Sequence, residues 1–277
     1  MALSTLDYLA AAGAAALAGA INALAGGGTL VSFPTLVGLG VPSVAANVTN
    51  AVALLPGYLA GTWAQRDDLR PQLAGAWRAA VIATAGGLAG SILLVAIPPH
   101  AFRVVVPYLI VMSCVLLVAQ DRLRRWLWSP PPAGSPGGDP PAGDPPAGRL
   151  PAGHPRANHA GRGAALLASV FVASIYGGFF GAGLGIMLLA ILGVFSSESL
   201  VKLNALKQLL SFGISIVAAV FFAFSGHVRW QLVPVMAAAS LVGGAGGGRL
   251  VRVIPGVVLR RIVVVVGLGV AVAFWVA

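Results

Sequence analysis

Apolar residues run through this chain in long blocks. Residues 104–119, 209–224 and 262–277 contain no acidic or basic side chain. A helix that spans a bilayer needs roughly 20 mostly apolar residues, so these blocks predict membrane-crossing helices. The blocks fall into two groups. The first holds 6–24, 29–39, 45–62, 78–97 and 103–119; the second holds 164–176, 184–194, 200–225, 229–248 and 257–276. The pieces 29–39 and 184–194 are short. At 1.5 Å per residue they reach about 16 Å, roughly half of a 30 Å hydrocarbon core. Each follows a Gly-rich break. The segment 6–24 lies where a signal peptide would, but its only early charge is Asp7 and it runs straight into further apolar sequence. It reads as part of the mature chain.

Between the groups the pattern stops. Residues 129–162 are rich in Pro and Gly, with Gly-Asp-Pro-Pro-Ala-Gly at 138–143 and again at 143–148. Such a segment cannot bury a core and predicts an extended linker. His154 and His159 fall in it and read as solvated rather than as metal ligands. The predicted units are therefore 1–128, a first transmembrane repeat, 129–162, the linker, and 163–277, a second transmembrane repeat.

Composition agrees with a membrane location: 58% of residues are hydrophobic and 9% charged, against about 25% charged in soluble domains. The net charge of +10 has no organised basic domain behind it, so no nucleic-acid partner is expected. It reads as Arg held in cytoplasmic loops. The lone Cys114 allows neither an intramolecular disulfide nor a cysteine-based metal cluster.

The two groups repeat each other. At an offset of 157 residues Gly26-Gly27-Gly28 meets Gly183-Leu184-Gly185, Asn47 meets Asn204, Asn50 meets Lys207, Ile97-Pro98 meets Ile254-Pro255 and Arg103 meets Arg260. If each broken segment is a hairpin that returns to its own side, each half crosses the bilayer three times and the second half enters inverted. With the linker cytoplasmic, that count puts Arg66, Arg70, Arg78, Arg122, Arg124, Arg125, Arg249, Arg252, Arg260 and Arg261 inside, leaving Arg103, His227 and Arg229 outside. An even count would put the 249–261 arginines outside, against the positive-inside rule. The expected fold is an all-α polytopic membrane protein of two inverted repeats, each a broken re-entrant helical hairpin plus three transmembrane helices.

Irregular backbone at membrane depth needs protein or a water-filled cavity around it. The breaks, with Gly26, Gly27, Gly28 and Thr29 in one and Gly181, Gly183 and Gly185 in the other, are thus the first candidate site. The half-helix N-terminus after each break favours an anion, although glycines also serve close helix packing. Asn47 and Asn50 share one helix face, as do Asn204 and Lys207. A lysine as deep as Lys207 is costly unless it meets a cavity or partner; the alternative is a snorkelling side chain. For Asn47 the alternative is an N-cap. Glu198 and Lys202 read as a surface pair, and Pro34 and Pro56 as residues that end or kink helices. No nucleophile–base pair, HExxH motif, P-loop or paired intramembrane carboxylate is present, so no enzyme and no cofactor is expected. The pattern points to a secondary transporter that holds a small oxyanion at the midplane. A passive anion channel and a non-transporting membrane subunit are the alternatives.

These residues also carry a resemblance. Asn22-Ala-Leu-Ala-Gly-Gly-Gly-Thr-Leu-Val-Ser-Phe-Pro34 and Ala46-Asn-Val-Thr-Asn-Ala-Val-Ala-Leu-Leu-Pro-Gly57 resemble the opening signature of the TauE/SafE sulfite-exporter family. Tyr176-Gly-Gly-Phe-Phe-Gly-Ala-Gly-Leu-Gly185 and Leu203-Asn-Ala-Leu-Lys207 resemble its repeat motif. That pattern often has four glycines where this chain reads Ala25-Gly26-Gly27-Gly28. The resemblance implies a multi-pass permease of the bacterial inner membrane for sulfur-containing anions, sulfite or organosulfonates, often acting in export. The partners are then a small oxyanion and the lipid bilayer. The exact anion, the direction, the coupling ion and assembly as a homodimer stay open.

Overall fold

The computed structural model describes residues 3–24, 26–128, 159–196, 198–253, 264–265, 267–272 and 274–275. Ten α-helices are described there: α1 (Thr5–Leu24), α2 (Thr29–Gly38), α3 (Ser43–Ala64), the short α4 (Arg66–Leu69), α5 (Leu73–Ala96), α6 (Pro99–Trp128), α7 (His159–Phe179), α8 (Leu184–Phe195), α9 (Leu200–Ala223) and α10 (Val233–Val253). Residues 264–265, 267–272 and 274–275 are helical too, and no strand occurs among the described residues. Six of the helical stretches are long and apolar enough to cross a membrane, while α2 and α8 are short apolar helices. The chain is an all-helical, multi-pass membrane protein.

Several expectations change in detail. Pro34 lies inside α2 and Pro56 inside α3, and neither ends its helix. Packed neighbours in a bundle compensate the backbone groups that a proline frees. The helix α7 starts at His159, within the predicted linker, and α6 runs on to Trp128. The rest of the linker with His154, and Ile254-Pro255, Arg260 and Arg261, lie outside the described residues.

The sequence repeat reappears in the helix boundaries. Ser43 and Leu200 open α3 and α9 at the offset of 157 residues. The two halves interlock rather than stand apart. Helix α1 packs on α10, with Gly19 against Ser240 and Gly244, and Gly243 against the Ala16 carbonyl. The counterpart helices α5 and α7 pack likewise, with Gly86 against Phe171 and Ser174, and Gly90 against Ile175. Small residues allow this approach where lipid supplies no hydrophobic drive between helices. Ser240 Oγ donates to the Ala53 carbonyl at 2.9 Å, joining α10 to α3.

The equivalent helices α3 and α9 run side by side in opposite directions. Near the end of α3, Thr62 Oγ1 donates to the Gln208 carbonyl at 3.4 Å, and Asn204 Nδ2 donates to Gln65 Oε1 at 2.6 Å. Both partners belong to the first three turns of α9. Two ends of the molecule follow. At one, residues 40–43, Pro99, His100, Arg103 and Phe274 line an open groove of about 600 Å³, and Arg229 N–H donates to Thr49 Oγ1 at 2.9 Å. At the other, Gln72 Nε2 donates to the Lys202 carbonyl at 3.1 Å, beside Arg66 and Arg70 of the α3–α5 connection. The predicted Glu198–Lys202 pair forms there at 2.8 Å, on the surface.

Candidate functional site

Both breaks turn on a glycine that only glycine adopts readily. Gly26 has φ +77° and Gly183 φ +79°, and they occupy equivalent positions of the repeat. An L-residue in this conformation costs roughly 1–2 kcal/mol. The two breaks touch backbone to backbone: a Cβ on Gly26 would lie 2.9 Å from Gly185 N and nearer still to its Cα. The sequence placed both Gly runs at one centre, and Gly26 and Gly185 do meet there.

The first break is closed by its own side chain. Asn22 Oδ1 accepts from Gly27 N–H at 3.1 Å and from Gly28 N–H at 2.7 Å. Two of the N-terminal donors expected to hold an anion are therefore already engaged. The second break is tied differently. Phe180 and Gly181 N–H donate to the Tyr176 carbonyl at 2.9 and 3.1 Å. The Ala182 carbonyl accepts from Ser113 Oγ at 2.9 Å and from the Tyr176 hydroxyl. The N–H groups of Gly183 and Gly185 meet no acceptor among the described residues.

Each half fastens the break of the other. Asn47 Nδ2 donates to the Phe179 carbonyl at 2.8 Å, and Lys207 Nζ to the Asn22 carbonyl at 3.4 Å. Asn22 and Phe179 are themselves equivalent by the offset of 157. Asn47 is thus a cross-strut, not a helix cap. Lys207 lies two turns into α9 and is 1% exposed, so it does not snorkel. The ion pairs formed among the described residues, Arg66–Asp67, Arg70–Asp67 and Lys202–Glu198, are all on the surface. No carboxylate among the described residues pairs with Lys207. A buried cation without a counter-ion is expensive, and its field favours a negative ligand.

Around Asn47 and Asn50 lies a cavity of about 30 Å³, lined also by Thr29, Tyr58, Gly181 and Ser215. It has room for about two waters. Asn50 Oδ1 is buried there without a partner. The structure thus gathers Thr29, Asn47, Asn50 and Gly181 at one cavity, and sets Gly26 on Gly185. Lys207 sits at the end of α1, while Asn204 is turned to Gln65. Two residues were missed. Asn22 is 3% exposed with Nδ2 unpartnered, and Gln208 is fully buried with both amide atoms unpartnered. A signal for Gln208 was its position: a neutral amide beside Lys207, at the start of an apolar run.

A "probable membrane transporter protein" of Haemophilus influenzae is 26% identical to this chain over 245 residues, covering 88% of this chain and 85% of that protein. The "probable membrane transporter protein ORF9" of Sinorhizobium sp is 24% identical over 263 residues, covering 94% and 88%. No solved structure matches the chain. The family model described as sulfite exporter TauE/SafE matches residues 11–274. With the breaks, both motif-bearing helices and the ends of the repeat inside that match, the chain belongs to the sulfite exporter TauE/SafE family, whose matched relatives bear the name of membrane transporters.

Proposed function

We propose that the protein is a secondary transporter of small sulfur-containing anions, sulfite or an organosulfonate, acting in export by alternating access. The observation that carries this reading is the buried, unpaired Lys207, held against the end of α1 at the interface of the two halves. Of the predicted binding residues, Gly26, Gly27 and Gly28 shape the approach, with the N–H groups of Gly27 and Gly28 reaching the ligand only if Asn22 lets go. Thr29, Asn50 and Gly181 line the adjoining cavity, and the N–H groups of Gly183 and Gly185 remain as donors. Asn47 and Asn204 serve as struts between the halves.

The antiparallel run of α3 against α9 supports an inverted pair, in which rocking exposes the centre to each side in turn. Arg66, Arg70 and Lys202 at one end, with Arg122, Arg124 and Arg125 in the last turns of α6, support placing that end and the linker in the cytoplasm. A bacterial inner membrane is the corresponding location. The small size of this cavity, with room for about two waters, favours a transporter over a wide pore. In proteoliposomes, saturable flux of sulfite or ethanesulfonate that is stimulated from the opposite side is expected. Lys207→Ala should lower it about tenfold or more, as removal of a charged ligand contact does. Unchanged flux in that variant would remove Lys207 from the mechanism.

A further inference from the structure

The two halves offer two equivalent pockets, and they are not alike. In one, Asn50 and Ala51 of α3 face the break at Phe180 and Gly181 across the small cavity. The offset of 157 maps Asn50 onto Lys207, Ala51 onto Gln208 and Phe179 onto Asn22. In this second pocket, at the end of α1, the three side chains are closed off from solvent. Lys207 Nζ reaches the Asn22 carbonyl, and Gln208 lies against Gly61 beside Ala23: a Cβ on Gly61 would lie 3.2 Å from Gln208 Cδ and 3.3 Å from Ala23 Cβ.

What distinguishes the second pocket is an excess of donors. Asn22 Oδ1 is fixed by two backbone N–H groups, so the amide cannot be turned over. Its unpartnered Nδ2 is therefore a buried donor with no acceptor. Gln208, unpartnered at both amide atoms, is free to present its Nε2. Lys207 carries three N–H bonds and uses one, at 3.4 Å. Buried polar groups are nearly always paired, and exceptions call for an account. Each of the three has N–H bonds without an acceptor, and Lys207 brings a positive charge when protonated. A compact oxyanion supplies both what is missing and the opposite charge.

We propose that Asn22, Lys207 and Gln208 form the coordination site for the transported oxyanion, collapsed in this structure and opened when the halves rock. The assignment rests on the transport reading above and adds Asn22 and Gln208 to it as ligand-binding residues. The pocket at Asn50 is its neutral counterpart.

The test is binding of sulfite and ethanesulfonate to the purified full-length protein in detergent, with thermal unfolding read in parallel. Gln208→Leu keeps the volume and removes two unpaired polar atoms. Its unfolding temperature without ligand should equal or exceed that of wild type, while Kd rises about 10–100-fold, the worth of a hydrogen bond to a charged group. Asn22→Asp keeps the cap on Gly27 and Gly28, replaces the donor with a negative charge beside Lys207, and should abolish binding while unfolding stays cooperative. Asn50→Leu should shift Kd less than Gln208→Leu. A wild-type Kd in Gln208→Leu, or a larger loss in Asn50→Leu, overturns the site and leaves transport standing if Lys207→Ala still loses flux. A lower unfolding temperature with unchanged Kd marks Gln208 as structural and overturns it too. Failure of wild type to bind either anion overturns the site and the transport reading together.

Discussion

Replacement of Gly26 by alanine tests how the two breaks are joined. Two costs combine. The residue stands at φ +77°, where a side chain costs roughly 1–2 kcal/mol. Its new Cβ would also fall 2.9 Å from Gly185 N and closer to Gly185 Cα, against 3.4–4 Å for ordinary contact. Because the obstruction is backbone, α8 or the break must shift by half an ångström or more, and overpacking of that kind costs about 1–3 kcal/mol. The sum, about 2–5 kcal/mol, is a large part of a typical stability. Gly183 is the equivalent residue, at φ +79°, yet a Cβ there meets only Leu116 and Ser113 at 3.6–3.7 Å. Gly183→Ala should therefore show the conformational cost alone, about 1–2 kcal/mol. Gly27 has ordinary φ and its nearest neighbour would be Leu117 Cδ1 at 3.6 Å, so Gly27→Ala should be near neutral. Denaturant unfolding in mixed micelles reads all three. Equal losses in Gly26→Ala and Gly183→Ala would refute the close contact of the breaks, and a severe loss in Gly27→Ala would refute the backbone assignment.

Asn47→Ala removes the 2.8 Å bond to the Phe179 carbonyl and leaves that carbonyl buried and unmet, so unfolding free energy should fall by about 1–3 kcal/mol; no measurable change would contradict the cross-strut. Glu198→Gln breaks an exposed i,i+4 pair, so stability should move by no more than about 0.5 kcal/mol and anion flux should keep its wild-type rate. Replacing residues 129–158 with a shorter Gly/Ser linker should preserve folding and flux, because the repeat helices on either side carry the contacts between the halves; loss of flux in a correctly inserted variant would give the linker a part in transport.

The local pattern made much of this visible. Apolar runs located the helices, the Gly-rich breaks isolated α2 and α8, and the Asn47/Asn204 and Ile97-Pro98/Ile254-Pro255 matches gave the offset that Ser43 and Leu200, the first residues of α3 and α9, obey. Lys207 was conspicuous as a charge in an apolar context. Asn22 and Gln208 were not, because their surroundings come from distant parts of the chain, Lys207 on the Asn22 carbonyl and Gly61 beside Gln208, and a neutral amide leaves no mark on hydropathy. Nor could the runs of glycine reveal that Asn22 had claimed the N–H groups of Gly27 and Gly28. That is a fold-back over five and six residues, shorter than a repeat and longer than a standard cap. Pro34 and Pro56 end neither of their helices, because helices held by packed neighbours tolerate a proline that would break an isolated one.

The contact of α1 with α10 has a consequence for how the chain is made. More than 200 residues separate Gly19 from the Gly243 that it packs near. At about 5–20 residues per second, the ribosome needs roughly 10–45 s to bridge that interval. Throughout it, α1, rich in Ala and Gly, waits beside the insertion machinery without its partner, and so does α5 until α7 emerges. Neither half can finish alone, so the interlock turns α10, made long after α1, into the clasp that completes the packing of the first helix.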